Sequence, residues 1–246
     1  MSEALVELRG LTVRFGGISA LSGVTFRVGP AELMGIIGPN GAGKTTLFNV
    51  MSGIVAPTAG MFRVNDVNLT GKRAHVFNRV GVARTFQTAR VFRNLTVREN
   101  VQFGLRFPWR RGGRAIDVMA ETNGLMARLG LIDQAQIPAG SLPPTRQRLL
   151  EIAMALSTNP RLLLLDEVAA GLTQGEAETM ASLIRSIRQE RNISVIWIEH
   201  NVATLMRAVE RVVVLHHGEV LADGVPAQVA QDRAVIDAYL GETEAE

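Results

Sequence analysis

The pattern of apolar and polar residues divides the chain into strand-forming and helix-forming regions. Residues 5–28 alternate between apolar and polar side chains with intervening glycines, which is typical of strands in an antiparallel layer. Residues 32–37 form a buried-strand pattern that runs into a glycine-rich turn, and a helix is predicted to begin near Lys44. Further strands are predicted at about residues 61–64, 162–166, 195–199 and 212–215.

Helical spacing dominates between residues 92 and 156, where it is interrupted by an arginine and glycine run at 110–114. We therefore expect a mostly helical lobe inserted into an α/β core, with its joints at residues 85–90 and 138–144. The predicted organisation is a single domain spanning residues 1–246, with core lobes at about 1–87 and 157–246 and a helical lobe at about 88–156. A single final helix is predicted after Pro226, before an acidic tail.

The composition is that of a globular protein, with 47% hydrophobic and 20% charged residues. The formal net charge of +3 does not indicate a basic surface, so no nucleic-acid partner is expected. The absence of cysteine excludes disulfides and cysteine-based zinc sites, and it fits a reducing cytosol. No apolar run approaches the roughly 20 residues that span a bilayer, and no secretory signal is evident. If the protein acts at a membrane, another chain must anchor it.

The glycine-rich turn fits a P-loop, in which two glycines separated by four residues are followed by lysine and threonine. Glycines allow backbone N–H groups to turn toward phosphate oxygens, and the following helix offers its positive end. In this pattern Lys44 contacts the β- and γ-phosphates, Thr45 binds Mg²⁺ and Thr46 reaches the α-phosphate. The predicted site for ATP comprises Gly38, Pro39, Asn40, Gly41, Ala42, Gly43, Lys44, Thr45 and Thr46.

An apolar strand at 162–165 ends in two carboxylates, Asp166 and Glu167. Alone, this pattern describes a buried strand that leaves the core. Downstream of a P-loop, it predicts that Asp166 holds Mg²⁺, directly or through water, and that Glu167 orients or deprotonates the attacking water.

Two further polar residues follow predicted strands. His200 comes directly after the strand at 195–199, at the strand end where open parallel sheets bind ligands, and we expect it to sense the γ-phosphate. Gln87 stands just before the helical lobe, where one residue could contact both the metal site and a mobile element. Without the P-loop, Gln87 would be interpreted as an ordinary surface glutamine.

Phe15 allows two interpretations. It closes the alternating stretch that contains Leu11 and Val13, so the pattern alone makes it a core residue. It also precedes Gly16 and Gly17, which suits a platform on which adenine stacks.

The order of these motifs resembles the ATP-binding subunits of ABC transporters, over essentially the whole chain. The matching elements are Phe15 before glycine, the P-loop, a glutamine loop (residues 85–90, with Gln87), a signature region (residues 142–148), Asp166-Glu167, a loop at 169–173 and His200. Several short sequence segments resemble the subfamily of ATP-binding subunits that serves branched-chain amino-acid importers. The subunits of urea and short-amide importers are similar and remain an alternative. The segments that carry this are Phe15-Gly16-Gly17, Arg84-Thr85-Phe86-Gln87, residues 91–100, Ala169-Ala170-Gly171-Leu172 and Ala238-Tyr239-Leu240-Gly241.

The resemblance implies an α/β fold of the P-loop NTPase (RecA-like) type, with an antiparallel β layer and an inserted helical lobe. It implies a pair of ATPase subunits that hold ATP between the P-loop of one and the signature region of the other. Phe15 becomes the adenine platform, and Gln87 links Mg²⁺ and water to the membrane subunit. The implied partners are transmembrane permease subunits and, indirectly, a solute-binding protein, with the chain cytoplasmic and peripheral on the inner face of the cell membrane. Other subunits select the solute.

One residue and one region depart from the family pattern. Val168 replaces the usual proline after the glutamate. The signature region, Leu-Ser-Gly-Gly-Gln-Gln-Arg or a close variant in relatives, is here Leu142-Pro143-Pro144-Thr145-Arg146-Gln147-Arg148. Prolines have no backbone N–H, and a threonine side chain occupies space that glycine leaves open. We therefore expect the second ATPase subunit to be a different chain with an intact signature.

Two other functions remain as alternatives. A soluble ABC protein of DNA repair or translation would carry long insertions or two cassettes, whereas this chain has one cassette and a short helical insertion. A structural pseudo-ATPase is favoured by the altered signature region, but Lys44, Asp166, Glu167 and His200 argue against it.

Overall fold

The structure of the chain is a computed structural model that describes residues 4–106 and 117–243. The chain divides into two compact units, of which the first comprises Met1–Phe77 and Ala169–Glu246 and the second Asn78–Val168. The arginine and glycine run at 110–114 lies outside the described residues. The lobe boundaries at residues 88 and 156 stay a prediction.

The elements alternate between strands and helices along most of the chain. The strands are β1 (Val6–Phe15), β2 (Ile18–Val28), β3 (Leu33–Ile37), β4 (Ala59–Val64), β5 (Val67–Asn68), β6 (Val82–Arg84), β7 (Leu162–Asp166), β8 (Ser194–Ile198), β9 (Arg211–His216) and β10 (Glu219–Gly224). The helices are α1 (Lys44–Met51), α2 (Ala74–Val80), α3 (Val97–Leu105), α4 (Val118–Arg128), α5 (Pro144–Ser157), α6 (Gln174–Arg191), α7 (Val202–Ala208), α8 (Pro226–Val229) and α9 (Arg233–Thr243).

The antiparallel layer predicted from the alternating residues is present in the first unit. Its strands lie in the order β2-β1-β4-β5, and all neighbours are antiparallel. Leu8, Leu11 and Val13 are buried on β1, although a spacing of three separates the first two. A register shift between Leu8 and Leu11 restores their common orientation, and Gly10 adopts φ +58° within it.

The first unit also contains a mainly parallel sheet built around β3. Strand β3 pairs in parallel with β8 on one side and with β9 on the other, and β10 joins β9 in antiparallel orientation. All five residues of β3 and of β8 are buried. Strands covered on both faces require continuous apolar runs, which explains why these strands were recognisable from the sequence.

The described residues of the second unit include a parallel strand pair and the α-helices α3, α4 and α5. Strand β6 pairs with β7, with Ala83 opposite Leu163, and α3 packs on α4 and α5. Helix α3 begins with a capping box in which Thr96 and Glu99 satisfy each other's backbone N–H groups. The buried side chain of Asn100 bonds to the backbone of Phe92 on both its N–H and its carbonyl. Helices α3, α4 and α5 lie within residues 92–156, where helical spacing dominates in the sequence, and the extent of a helical lobe stays a prediction.

The prediction of a single helix after Pro226 is wrong. Two helices, α8 and α9, occupy this stretch. The side chain of Asp232 accepts a hydrogen bond from the N–H of Ala234 at 2.9 Å, and its carbonyl accepts from Ile236 at 3.0 Å. Asp232 therefore starts a new helix, as aspartate commonly does.

None of the helices in the described parts of the chain combines the length and the apolar character needed to cross a membrane.

Candidate active site

The P-loop connects the buried strand β3 to the first turn of α1, both in the first unit. Gly43 precedes α1 with φ +100°, and a Cβ there would lie 2.6 Å from the carbonyl oxygen of Ala20. Neither the backbone angle nor the space admits another residue. The sequence requirement for glycine at this position therefore has a direct steric cause.

The ammonium group of Lys44 is held by the P-loop itself. Its Nζ donates to the carbonyl oxygens of Gly38 and Pro39, the latter at 2.8 Å, and the residue is 8% exposed. A positive charge is thus fixed beside a turn followed by a helix N-terminus, an arrangement that suits phosphate. On α1, Thr45 is exposed and Thr46 is half-buried.

Gln87 and Glu167, predicted as catalytic residues 80 positions apart, are in direct contact in the second unit. The side-chain amide of Gln87 donates to a carboxylate oxygen of Glu167 at 2.8 Å. Glu167 lies directly after β7, is buried, and has φ +52°, a conformation uncommon for glutamate. A non-glycine residue in this region of backbone space often marks a functional position.

Asp166, the predicted metal ligand, forms a buried ion pair that the sequence analysis did not predict. The guanidinium of Arg84 donates to its Oδ2 at 2.8 Å, with the two side chains 6% and 7% exposed. The backbone N–H of Asp166 donates to the hydroxyl of Thr85 at 3.1 Å. Strand β6 and the residue after it therefore set the orientation of the aspartate at the end of β7.

The predicted Mg²⁺ ligands have suitable chemistry. Mg²⁺ prefers oxygen ligands and is commonly held by one or two carboxylates together with substrate phosphates. Thr45 offers a hydroxyl, Asp166 a carboxylate, and Gln87 an amide oxygen, since its amide nitrogen donates to Glu167. Within residues 4–106 and 117–243, no group of three His, Asp or Glu side chains could hold a metal ion.

Phe15 is not a core residue. It closes β1 opposite Ile18 and is 53% exposed, whereas Leu11 and Val13 are buried. The structure thereby removes the first of its two interpretations. An exposed aromatic ring beside a glycine turn is compatible with adenine stacking, which stays a prediction.

His200 is exposed immediately after β8, at the strand end where it was expected. The residue before it, Glu199, is buried and was not identified from the sequence. Its carboxylate accepts hydrogen bonds from the indole of Trp197 at 2.9 Å and from the N–H of Ala169 at 2.6 Å. Glu199 thus fixes the start of the loop at 169–173 against the strand that carries His200.

The signature region leads into α5. Pro143 is the N-cap residue and Pro144 the first residue of the helix, a position that proline tolerates. Thr145 follows, and all three residues are exposed. The first N–H bonded within this helix is that of Gln147, which donates to the carbonyl of Pro143 at 3.0 Å. The helix begins normally, but Pro143 and Pro144 contribute no backbone N–H at this end.

A buried glutamate on α5, Glu151, is a further residue that the sequence analysis missed. It interrupts an apolar run and accepts backbone hydrogen bonds from Phe86 and Arg90, which flank Gln87. A charged residue within the run Leu149-Leu150-Glu151-Ile152-Ala153 was the available signal, because an isolated carboxylate is rarely buried without partners.

Comparison with known proteins resolves the family. The ABC transporter profile matches residues 21–170. The high-affinity branched-chain amino acid transport ATP-binding protein BraF of Pseudomonas aeruginosa is 39% identical, covering 98% of this chain and 100% of BraF. The chain belongs to the ABC transporter family. LivG of Escherichia coli K12, another such ATP-binding protein, is 37% identical over the same shares of the two chains.

Solved ABC transporter structures share the fold. A nucleotide-free ATP-binding cassette has a TM-score of 0.85 at 26% identity, covering 96% of this chain and 98% of its own. A cassette in its ADP conformation has a TM-score of 0.85 at 27% identity, covering 97% and 99%. The predicted P-loop NTPase fold is confirmed, and this ABC transporter chain is an ATP-binding, ATP-hydrolysing subunit. A profile for the branched-chain amino acid ATP-binding cassette transporter also matches residues 219–245.

Proposed function

We propose that the chain is the MgATP-hydrolysing subunit of an importer for branched-chain amino acids. BraF and LivG are named for this transport, and each alignment covers 98% of this chain and 100% of the relative. The C-terminal profile match supports the same subfamily, because it covers a segment outside the nucleotide-binding motifs.

The nucleotide is bound by residues of the first unit in this proposal. Lys44 contacts the β- and γ-phosphates, and Thr46 the α-phosphate. Phe15 stacks on adenine, and His200 contacts the γ-phosphate. The support for Phe15 is its exposed ring, and for Lys44 its fixed ammonium group.

Hydrolysis is carried out by the carboxylates after β7. Thr45, Asp166 and the amide oxygen of Gln87 hold Mg²⁺, which would neutralise charge on the phosphates. Glu167 orients and deprotonates the attacking water. The hydrogen bond between Gln87 and Glu167 carries this proposal, because it joins the two predicted catalytic side chains without any residue between them.

The proposed partners follow from this role. The chain binds transmembrane permease subunits on the inner face of the cell membrane and works with a solute-binding protein. A second ATPase subunit with an intact signature pairs with it, because Pro143, Pro144 and Thr145 present few donors to a bound γ-phosphate.

The test is transport by the complex purified in mild detergent and reconstituted into proteoliposomes with its solute-binding protein. Uptake of leucine, isoleucine and valine should require ATP, and uptake of urea should stay at background. Lys44→Ala should abolish uptake, whereas Lys72→Ala, at the exposed second lysine of the chain, should not. Urea uptake alone would assign the similar importer class, and failure to co-purify with membrane subunits would favour a soluble ABC protein.

A further inference from the structure

Glu151 places a buried carboxylate in the middle of α5. The residue is 4% exposed and lies between two apolar residues, Leu150 and Ile152, which are also buried. Burial of a carboxylate is unfavourable unless hydrogen bonds compensate for the lost water. A charge retained in such a place needs an explanation from its partners.

Its partners are two backbone N–H groups of the glutamine loop. Arg90 donates to Oε1 of Glu151 at 2.9 Å, and Phe86 donates to both carboxylate oxygens at 3.3 Å. These two donors lie on either side of Gln87. The loop has no regular secondary structure, so Glu151 supplies acceptors that a helix or sheet would otherwise provide.

The same loop is closed by a second contact. The guanidinium carbon of Arg90 lies 4.0 Å from the centre of the Phe86 ring, a cation–π distance. Gln87, within this closed turn, is the residue that reaches Glu167. A continuous series of contacts therefore leads from Glu151 through the glutamine loop to the glutamate after β7.

Helix α5 connects this series to the signature region. The helix begins at Pro144, and Glu151 lies two turns further, about 10 Å along the axis at 1.5 Å per residue. Because an α-helix moves as a rigid element, a displacement of its first turn moves the acceptors of the glutamine loop as well.

We propose that Glu151 is a positioning residue that couples the signature helix to catalysis by holding the glutamine loop where Gln87 meets Glu167. The proposal rests on the roles proposed above for Gln87 and Glu167. Through α5 and Glu151, the altered signature region would then also affect hydrolysis at the catalytic residues of its own chain.

The experiment is a double-mutant cycle in the purified transporter complex. Glu151→Leu removes both acceptors, and it should lower kcat for ATP hydrolysis at least tenfold while the KM for ATP changes less than twofold. Gln87→Ala should lower kcat by itself, and adding Glu151→Leu to it should cause little further loss. Effects that multiply in the double variant would overturn the proposal, because they would show that Glu151 acts independently of Gln87.

A conservative variant covers the case in which Glu151→Leu does not fold. Glu151→Gln keeps one carbonyl acceptor and places an amide group where the other oxygen met Phe86. It should lower kcat about threefold, again without further effect in the Gln87→Ala background. Glu178→Leu, at an exposed position of α6, is the matched control and should leave kcat unchanged.

Hydrogen exchange separates this inference from the proposed function. In both Glu151 variants the amides of Phe86 and Arg90 should exchange faster, with the strands of the same unit unaffected. Unchanged exchange at these amides would refute the coupling even if Glu167→Gln abolishes hydrolysis. Full turnover of Glu167→Gln would instead refute the assignment of Glu167, whatever the exchange data show.

Discussion

The side-chain amide of Gln87 and the carboxylate of Glu167 lie 2.8 Å apart, in a hydrogen bond that spans 80 positions of the sequence. A carboxylate only accepts, so the amide nitrogen of Gln87 must be the donor, and the amide oxygen is the atom left for a metal. The residue that would activate water thus has a hydrogen-bond partner in a loop far from it in the sequence.

Replacing Glu167 tests its role as the base. Glu167→Gln keeps a carbonyl oxygen that accepts from Gln87, so the local geometry should survive. Binding of MgATP should be preserved, and single-turnover hydrolysis at this P-loop should slow about a hundredfold or more. An ATP-bound closed pair should accumulate in size-exclusion chromatography. Glu178→Gln is the control, and turnover at the native rate would remove Glu167 from this role.

Repair of the signature region tests the proposal that this chain pairs with a different ATPase subunit, one with an intact signature. Loss of a single transition-state donor costs about 3 kcal/mol, or on the order of a hundredfold in rate. The chain by itself should therefore hydrolyse ATP slowly, and addition of the partner should restore an activity that requires Lys44. Thr145→Gly, alone or with Pro143→Ser, should raise the activity of the isolated chain. An unmutated chain that matches the rate of the complex would contradict the heteromer.

The surface at residues 89–100 is expected to contact the permease. Arg93 is exposed there, next to the exposed side chain of Phe92. Arg93→Glu should weaken assembly in co-purification or uncouple hydrolysis from transport, with nucleotide affinity nearly unchanged. Arg233→Glu, at an exposed position of α9, is the control for charge reversal. Crosslinks from the permease to other residues would show that this surface is wrong.

Glu151 should make stability depend on pH. Burial raises the pKa of Glu151 to about 7 from 4.5, against the lowering effect of the N–H groups of Arg90 and Phe86 and of the Arg90 charge, and the nearby Asp166 adds to the rise. The folded state therefore binds this proton more tightly than the unfolded state. Its stabilising contribution is complete below pH 4.5 and is lost as the pH rises to about 7.

The measurement is chemical unfolding of the wild type and Glu151→Gln between pH 4.5 and pH 8. The wild type and the variant should have similar free energies of unfolding at pH 4.5. At pH 8 the variant should be more stable by up to on the order of 3 kcal/mol, because each unit of pKa shift corresponds to about 1.36 kcal/mol. Glu178→Gln should show no such trend. A variant that is less stable than the wild type at pH 8 would show that the hydrogen bonds to the glutamine loop outweigh the burial of the charge.

The motifs with a local cause were predictable from the sequence. The P-loop depends on a strand, a glycine turn and a helix that follow one another directly in the sequence. At position 43 only glycine fits the backbone angle and the available space, so the residue type itself indicates the turn. The continuous apolar run of β3 and the alternation of β1 likewise reflect burial on two faces or on one. Helix α6 was missed even though Thr173 and Glu176 form a capping box at its start.

Tertiary structure alone decided the contacts between distant positions. No spacing rule relates Arg84 to Asp166, or Glu151 to the backbone of Phe86 and Arg90, because each pair meets through strand pairing and helix packing far along the chain. The exposure of Phe15 was also decided by the fold, since the alternation with Leu11 and Val13 by itself placed Phe15 in the core, whereas the residue is 53% exposed. The sequence by itself determined which residues have the chemistry for phosphate and water, since that depends on residue type and local order. The fold determined which of them are held in place, because long-range packing selects the partner of each buried charge.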